Sequence, residues 1–194
     1  MKENKVVSVV FAGIGGQGII RASSILATAA LNAGLDVKQS EVHGMAQRGG
    51  SVVSYVKFGE KVFSPAVEPG TADIVIAFEK SESLRWLHFL KKEGFIVANN
   101  MMIKPTSLIH GDKEYPESEK VEEYLKNYKY LFLDSIEEAK KLGNPKVFNT
   151  IMLGAISKYI DVISKEQWID AIKKSVPPKT VETNLKAFEF GLEY

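Results

Sequence analysis

The stretch Gly13-Ile14-Gly15-Gly16-Gln17-Gly18, with four glycines in six residues, constrains this chain's fold more than any other. An apolar run at 6–11 leads into it, and a small-residue pattern at 19–33 leaves it. Strand, glycine turn and helix in that order open a Rossmann-type sheet, and Gly13-x-Gly15-x-x-Gly18 has the spacing of its phosphate-binding turn. A helix N-terminus offers free N–H groups and a positive dipole end, and glycine lets an anion come close. Arg21, in the first turn of the expected helix, opposes that dipole and would gain from a nearby anion or acidic partner. The same glycines also serve a chain that only needs strand and helix to pack tightly. Gly13, Gly15, Gly16, Gln17 and Gly18 are therefore candidate cofactor contacts, or the mould of a strand–helix junction.

The rest of the chain alternates between the two periodicities. Residues 5–12 are nearly all Val and Phe and read as a buried strand. The helix after the turn puts Ile19, Ala22, Leu26, Ala30 and Ala33 on one face, and Gly34 suits its end. Further strands are expected at 36–41, 51–58, 73–78, 94–99 and 128–134, with a short one at 107–109. Gly59-Glu60 reads as a hairpin turn into Lys61-Val62-Phe63, and Pro65, Pro69 and Gly70 as a loop. Helical spacing marks 80–91, 119–127, 135–142, 149–159, 165–175 and 181–190. Ser164 with Gln167 makes a capping box for the fifth of these. Trp86 and Trp168 lie in helical patterns and read as core or interface residues. The stretch 112–123, six acids against two lysines, reads as a solvated face. Strands alternating with helices place the chain in the α/β class. The expected architecture is a mostly parallel Rossmann-like sheet with helices on both faces and a helical C-terminal end, in one domain over 1–194.

Composition removes several functions. A net charge of +1 leaves no electrostatic footprint for nucleic acid or a membrane surface. There is no cysteine, hence no disulfide, no thiol nucleophile and no ordinary iron–sulfur ligation by this chain. His43, His88 and His110 lack metal-ligand spacing, so no metal site is expected. No run approaches the roughly 18 apolar residues of a membrane span, and no secretory pattern opens the chain, which points to the cytoplasm. There is no Walker lysine loop, GxSxG or HExxH.

Two places carry chemistry-bearing side chains besides the turn. Glu41, at the end of the second expected strand, stands near where a Rossmann site wants an acid for ribose hydroxyls. Beyond it, Val42-His43-Gly44-Met45-Ala46-Gln47-Arg48-Gly49-Gly50 fits no regular element. His43 suits acid–base work and Arg48 suits a carboxylate or phosphate clamp, while Gly49 and Gly50 allow close approach of another backbone. An ordinary loop with a solvated arginine is the plain alternative. Glu79, after the strand at 73–78, reads either as a ligand contact at a strand's carboxyl end or as a solvated helix-start acid.

These residues resemble a known family. GIGGQGII at 13–20, followed by SEVHGMAQRGGSVVSYVKFGEKVFSP at 40–65, is similar to the gamma-type subunit of 2-oxoacid:ferredoxin oxidoreductases. The wording HGMAQRGGSV is most like the small (beta) subunit of the indolepyruvate branch. TADIVIAFEKSESLRW, VFNTIMLGA and VETNLKAFEFG extend the resemblance over essentially the whole chain. The resemblance implies a complex in which a 2-oxoacid is decarboxylated on thiamine diphosphate and oxidised through iron–sulfur clusters. The acyl group leaves on CoA and the electrons pass to ferredoxin. It implies that thiamine diphosphate, Mg and the clusters belong to the catalytic partner subunits, that CoA is a cosubstrate, and that this chain holds no tightly bound cofactor. The isolated chain is then expected to be inactive. Glu41, His43, Met45, Gln47, Arg48, Gly49 and Gly50 become the expected loop facing the catalytic subunit near its active site or the CoA entry. His43 and Arg48 are the catalytic candidates. The rivals are the pyruvate or 2-oxoglutarate branch of the same family, and a stand-alone NAD(P)- or FAD-binding Rossmann protein built on the glycine turn and Glu41.

Overall fold

The computed structural model describes residues 5–43, 50–104 and 115–194, with His43 described by its backbone only. The elements run β1 (Val6–Ile14), α1 (Ile19–Asn32), β2 (Asp36–His43), β3 (Ser51–Gly59), β4 (Ala72–Ala77), α2 (Lys80–Arg85), β5 (Leu90–Asn99), α3 (Ser118–Leu125), β6 (Lys129–Leu133), α4 (Ser135–Lys141), α5 (Phe148–Ser157), α6 (Lys165–Ser175) and α7 (Val181–Leu192). The six strands form one sheet in the order β2-β3-β1-β4-β5-β6. The pairings β1–β4, β4–β5 and β5–β6 are parallel, while β1–β3 and β2–β3 are antiparallel.

Strand parity sorts the core into two layers. Val9 and Phe11 of β1, with Ile74 and Ile76 of β4, face the layer formed with α1, α5, α6 and α7. Val10, Val75 and Ala77 face the opposite layer, with Val121 and Leu125 of α3. Ala22, Ala29 and Ala30 of α1 are fully buried, and their small size lets the helix lie close to the sheet. Ser164 and Gln167 form the expected capping box of α6. The short strand expected at 107–109 lies outside the described residues.

The connection order brings the functional candidates together. From β1 the chain passes through α1 to the sheet's edge as β2, then returns as β3 between β2 and β1. Because β3 is antiparallel to β1, its first residue, Ser51, lies opposite Ile14 at the last position of β1. The segment joining β2 to β3 therefore leaves and re-enters the sheet beside the glycine turn.

Three local expectations are corrected. No strand follows Gly59-Glu60: β3 already has β2 on one side and β1 on the other, so a third partner has no place. Instead the Val62 N–H donates to Asp36 Oδ2 at 2.9 Å, and Phe63 projects into solvent. The helix expected over 80–91 ends at Arg85, and a single 3₁₀ turn at Leu87–Phe89 leads into β5 at Leu90. In the acid run, Glu122 is not simply solvated. It pairs at 2.5 Å with Lys80, whose side chain is 1% exposed.

Candidate functional site

At the carboxyl end of β1 the chain folds onto itself. The Gln17 side chain turns back into the turn, where Oε1 accepts from the Ile14 N–H at 2.7 Å and Nε2 donates to the Phe78 carbonyl at 3.3 Å. Phe78 follows β4, so one amide joins the ends of β1 and β4. That crevice is the topological switch point of the sheet: β1 leads to α1 on one face, β4 to α2 on the other. In open α/β sheets a ligand takes this crevice; here the chain's own glutamine fills it. Gly13 makes room for that arrangement, since a Cβ there would stand 2.5 Å from Gln17 Oε1 and 2.8 Å from the Phe78 Cβ. Gly18 caps α1 in the left-handed region at φ 79°, and a Cβ on it would meet Asn149 Nδ2 at 2.5 Å. Asn149, buried in α5, donates to the Gly18 carbonyl at 3.4 Å.

Beyond the turn lies a cleft of about 770 Å³ lined by Gly16, Gln17, Gly18, Arg21, Lys146 and Asn149 among others. Among the described residues, no Asp or Glu lines it. The first turn of α1 has no side-chain cap and no acid, and Arg21 is exposed there. A helix dipole end, Arg21 and Lys146 give this cleft a positive potential suited to an anion.

The second half of the candidate site meets the first through backbone. The Gly15 N–H donates to the Gly50 carbonyl at 2.9 Å. On the other side, Glu41, Val42 and His43 pair with Ser54, Val53 and Val52, so β2 and β3 hold both feet of the connecting segment in register. Gly44, Met45, Gln47, Arg48 and Gly49 lie outside the described residues. Glu41 is exposed near the end of β2, and Gln39 Nε2 donates to it at 3.4 Å. It does not occupy the ribose position of a dinucleotide site. That position belongs to a parallel strand adjacent to β1, and here antiparallel β3 lies between.

A third group was not legible as a site. The first turn of α2 contains Glu79, Lys80 and Glu82, at 1%, 1% and 4% exposure. Glu79 caps α2 by accepting from the Glu82 N–H at 3.1 Å. Its carboxylate also accepts from the Ser81 hydroxyl at 2.6 Å, the Ile103 N–H at 2.9 Å and the Tyr115 hydroxyl at 2.6 Å. Burial, and then the bond to Glu79, push the Tyr115 phenol up to about 12. Lys80 Nζ donates to Asn100 Oδ1, Ser118 Oγ and Glu122 Oε1 and lies 4.3 Å from the centroid of the Phe132 ring. Glu82 accepts from Ser51 Oγ at 2.9 Å and Trp86 Nε1 at 3.0 Å, and pairs with Arg85 at 3.2 Å. Burial raises its carboxyl above the ordinary range, against the lowering pull of Arg85, Ser51 and Trp86. In sequence the only signal was an acid after a buried strand, which also fits an exposed helix start.

Comparison with known proteins now decides the lineage of this arrangement. The model of the family described as pyruvate ferredoxin/flavodoxin oxidoreductase matches residues 8–194. The chain belongs to that family. Among curated relatives, the indolepyruvate oxidoreductase subunit IorB of Thermococcus kodakarensis is 40% identical, over 97% of this chain and 96% of its own. The 2-oxoglutarate synthase subunit KorC of Methanothermobacter marburgensis is 34% identical over 94% of this chain and 92% of its own. A crystal structure of the keto/oxoacid ferredoxin oxidoreductase gamma subunit from Geobacter sulfurreducens superimposes with a TM-score of 0.72. It is 30% identical and covers 96% of each chain. The resemblance read from the glycine turn and the Arg-Gly-Gly segment thus stands, and the sheet is that of the gamma subunits. The chain is an oxidoreductase subunit of this family. Among the described residues, no group of three or more His, Asp or Glu could hold a metal, and no helix is long and apolar enough to cross a membrane.

Proposed function

We propose that this chain is the non-cluster, gamma-type subunit of a 2-oxoacid:ferredoxin oxidoreductase acting on indolepyruvate or a related arylpyruvate. The complex would convert the 2-oxoacid and CoA to acyl-CoA and CO₂ and pass the electrons to ferredoxin. Near-complete mutual coverage with a subunit named for indolepyruvate, at 40% identity against 34% for the 2-oxoglutarate relative, carries the reading. Thiamine diphosphate, Mg and iron–sulfur clusters fit the partner subunits, because a chain without cysteine has no usual cluster ligands. Residues 1–194 act as one domain. Its part is to present the segment carrying His43, Met45, Gln47, Arg48, Gly49 and Gly50 to the catalytic subunit, with Arg48 pairing to an acid or a phosphate there. The Gly15–Gly50 hydrogen bond supports this, because it joins the two signature stretches at one end of the sheet.

Copurification on a tagged chain from its native cells tests the assignment. A thiamine- and cluster-bearing partner that reduces ferredoxin with indolepyruvate and CoA is the expected result. Faster turnover of 2-oxoglutarate moves the chain to that branch. A strong thermal shift of the isolated chain with NAD or FAD replaces the reading by the stand-alone one. Within the complex, Arg48→Ala is expected to impair assembly or turnover; leaving both intact removes the role given to Arg48.

A second reading concerns the cleft at α1, which no acid among the described residues lines. Its positive lining suits the phosphates of CoA. Replacing Arg21 and Lys146 by Glu should raise the KM for CoA and leave that for the 2-oxoacid unchanged; an unchanged KM for CoA ends this reading.

A further inference from the structure

The first turn of α2 packs three charged residues into four positions, all more than nine-tenths buried. Burying charge is costly, and hydrogen-bonded partners only partly offset it. Two of them, Glu79 and Lys80, hold the stretch that runs from the end of β5 into α3, and the third, Glu82, reaches the start of β3. Glu79 holds Ile103 and Tyr115, Lys80 holds Asn100, Ser118 and Glu122, and Glu82 reaches Ser51.

Glu82 is the one that bears on the candidate segment. A Glu at the third position of a helix commonly folds back to the N-cap N–H as half of a capping box. Here the cap of α2 is one-sided: Glu79 accepts from the Glu82 N–H, and the Glu82 carboxylate crosses to β3 instead. Its Oε2 takes two donors, Ser51 Oγ and Trp86 Nε1. Ser51 is the first residue of β3, and its neighbour Gly50 accepts from Gly15. The point where the chain re-enters the sheet is thus gripped from both sides, by the β1 turn through Gly50 and by α2 through Ser51.

We infer that Glu82 is a positioning residue for the Arg48-bearing segment: through Ser51 it sets the point at which that segment rejoins the sheet. This rests on the docking role proposed above for that segment. Misplacement of a reacting or docking group by about 1 Å can cost up to about a hundredfold in rate, so a hydrogen bond several residues away has leverage.

The experiment uses the assembled complex and four variants of this chain. Ser51→Ala removes only the link to the segment, and Glu82→Met removes the acceptor altogether. Glu82→Gln keeps an amide oxygen able to accept from Ser51. Trp86→Phe removes the other donor to the same carboxylate oxygen without touching the segment. Steady-state kcat and KM are measured at matched occupancy of the complex, together with the melting temperature of each free chain.

The expected result is a loss of about tenfold in kcat/KM for Ser51→Ala and Glu82→Met, with turnover restored in Glu82→Gln. Trp86→Phe should lower the melting temperature and leave kcat/KM as in the wild type. Wild-type turnover in Ser51→Ala and Glu82→Met overturns the inference, as does a loss in Trp86→Phe that matches theirs, since Glu82 would then only hold the fold. Arg48→Ala in the same complex separates the two ideas. If Arg48→Ala impairs turnover while Ser51→Ala and Glu82→Met do not, the inference falls and the role of Arg48 stands. If the Ser51 and Glu82 variants impair turnover and Arg48→Ala does not, the positioning stands and the role of Arg48 falls.

Discussion

Two helix entrances flank the switch point of the sheet, and they are built in opposite ways. The entrance to α1 is made of glycines and one neutral amide. Its conformation comes from backbone freedom, and Gln17 closes it with two hydrogen bonds to main chain. The entrance to α2 is made of Glu79, Lys80 and Glu82, all buried, and comes from charged side chains reaching across to other segments. The first shapes the chain locally; the second ties together stretches far apart in sequence. An entrance of the first kind leaves the α1 N-terminus open to an anion. One of the second kind uses its α2 N–H group internally, on the Glu79 carboxylate.

The contrast breaks most severely at Glu79. Glu79→Ala strips the acceptor from Ser81, Glu82, Ile103 and Tyr115 at once. Buried donors left unpaired cost about 1–3 kcal/mol each, and relaxation and water recover part of that. A net loss of about 3 kcal/mol is expected, or roughly 6–12 °C in melting temperature for a chain of this size. A shift within about 2 °C on thermal unfolding would mean that the network holds nothing.

On the glycine side the expected effect is smaller and steric. Gly13→Ala should destabilise by about 1–3 kcal/mol, since the new methyl meets both Gln17 and Phe78. Adding Gln17→Ala should return part of that, because the nearest clashing atom leaves with the amide while the Phe78 Cβ stays. A double-mutant cycle reads the coupling, and strict additivity would show that Gln17 does not fill the turn.

The smallest effect separates charge from hydrogen bonding at α2. The Glu82 carboxyl is raised by burial above the ordinary 4.5, so the folded protein holds its proton more tightly than the unfolded chain does. Stability carried by this group is therefore complete below the unfolded value and declines as pH rises toward the folded one. Glu82→Gln cannot ionise. Its melting temperature should gain on the wild type as pH rises from about 4 toward neutrality. A difference that stays constant with pH would place the charge outside the stability balance.

How much of this was legible follows from the range of each interaction. The β1 strand, the glycine turn and α1 were readable because their signals are local: apolar run, glycine spacing, small residues at helical period. The capping box of Ser164 and Gln167 was readable for the same reason. The supposed hairpin at Gly59 was misread, because the turn pattern is local while the strand that occupies that edge, β2, starts at Asp36. Glu122 read as one more solvated acid, since nothing near it in sequence announces a buried lysine at position 80. The Arg48 segment was found by composition and resemblance, but its contact with the glycine turn needed the antiparallel return of β3.

By itself the sequence determined the class of fold, the family, the absence of cluster-ligating cysteine and the two stretches that make the signature. All of these are properties of residue type and spacing. Tertiary structure alone decided that Gln17 fills the crevice a ligand would take, that β3 separates Glu41 from β1, and that Glu82 grips the foot of the candidate segment. Each depends on strand order, which sets which distant residues meet. A carboxylate looks the same in sequence whether water or the protein's own donors will surround it.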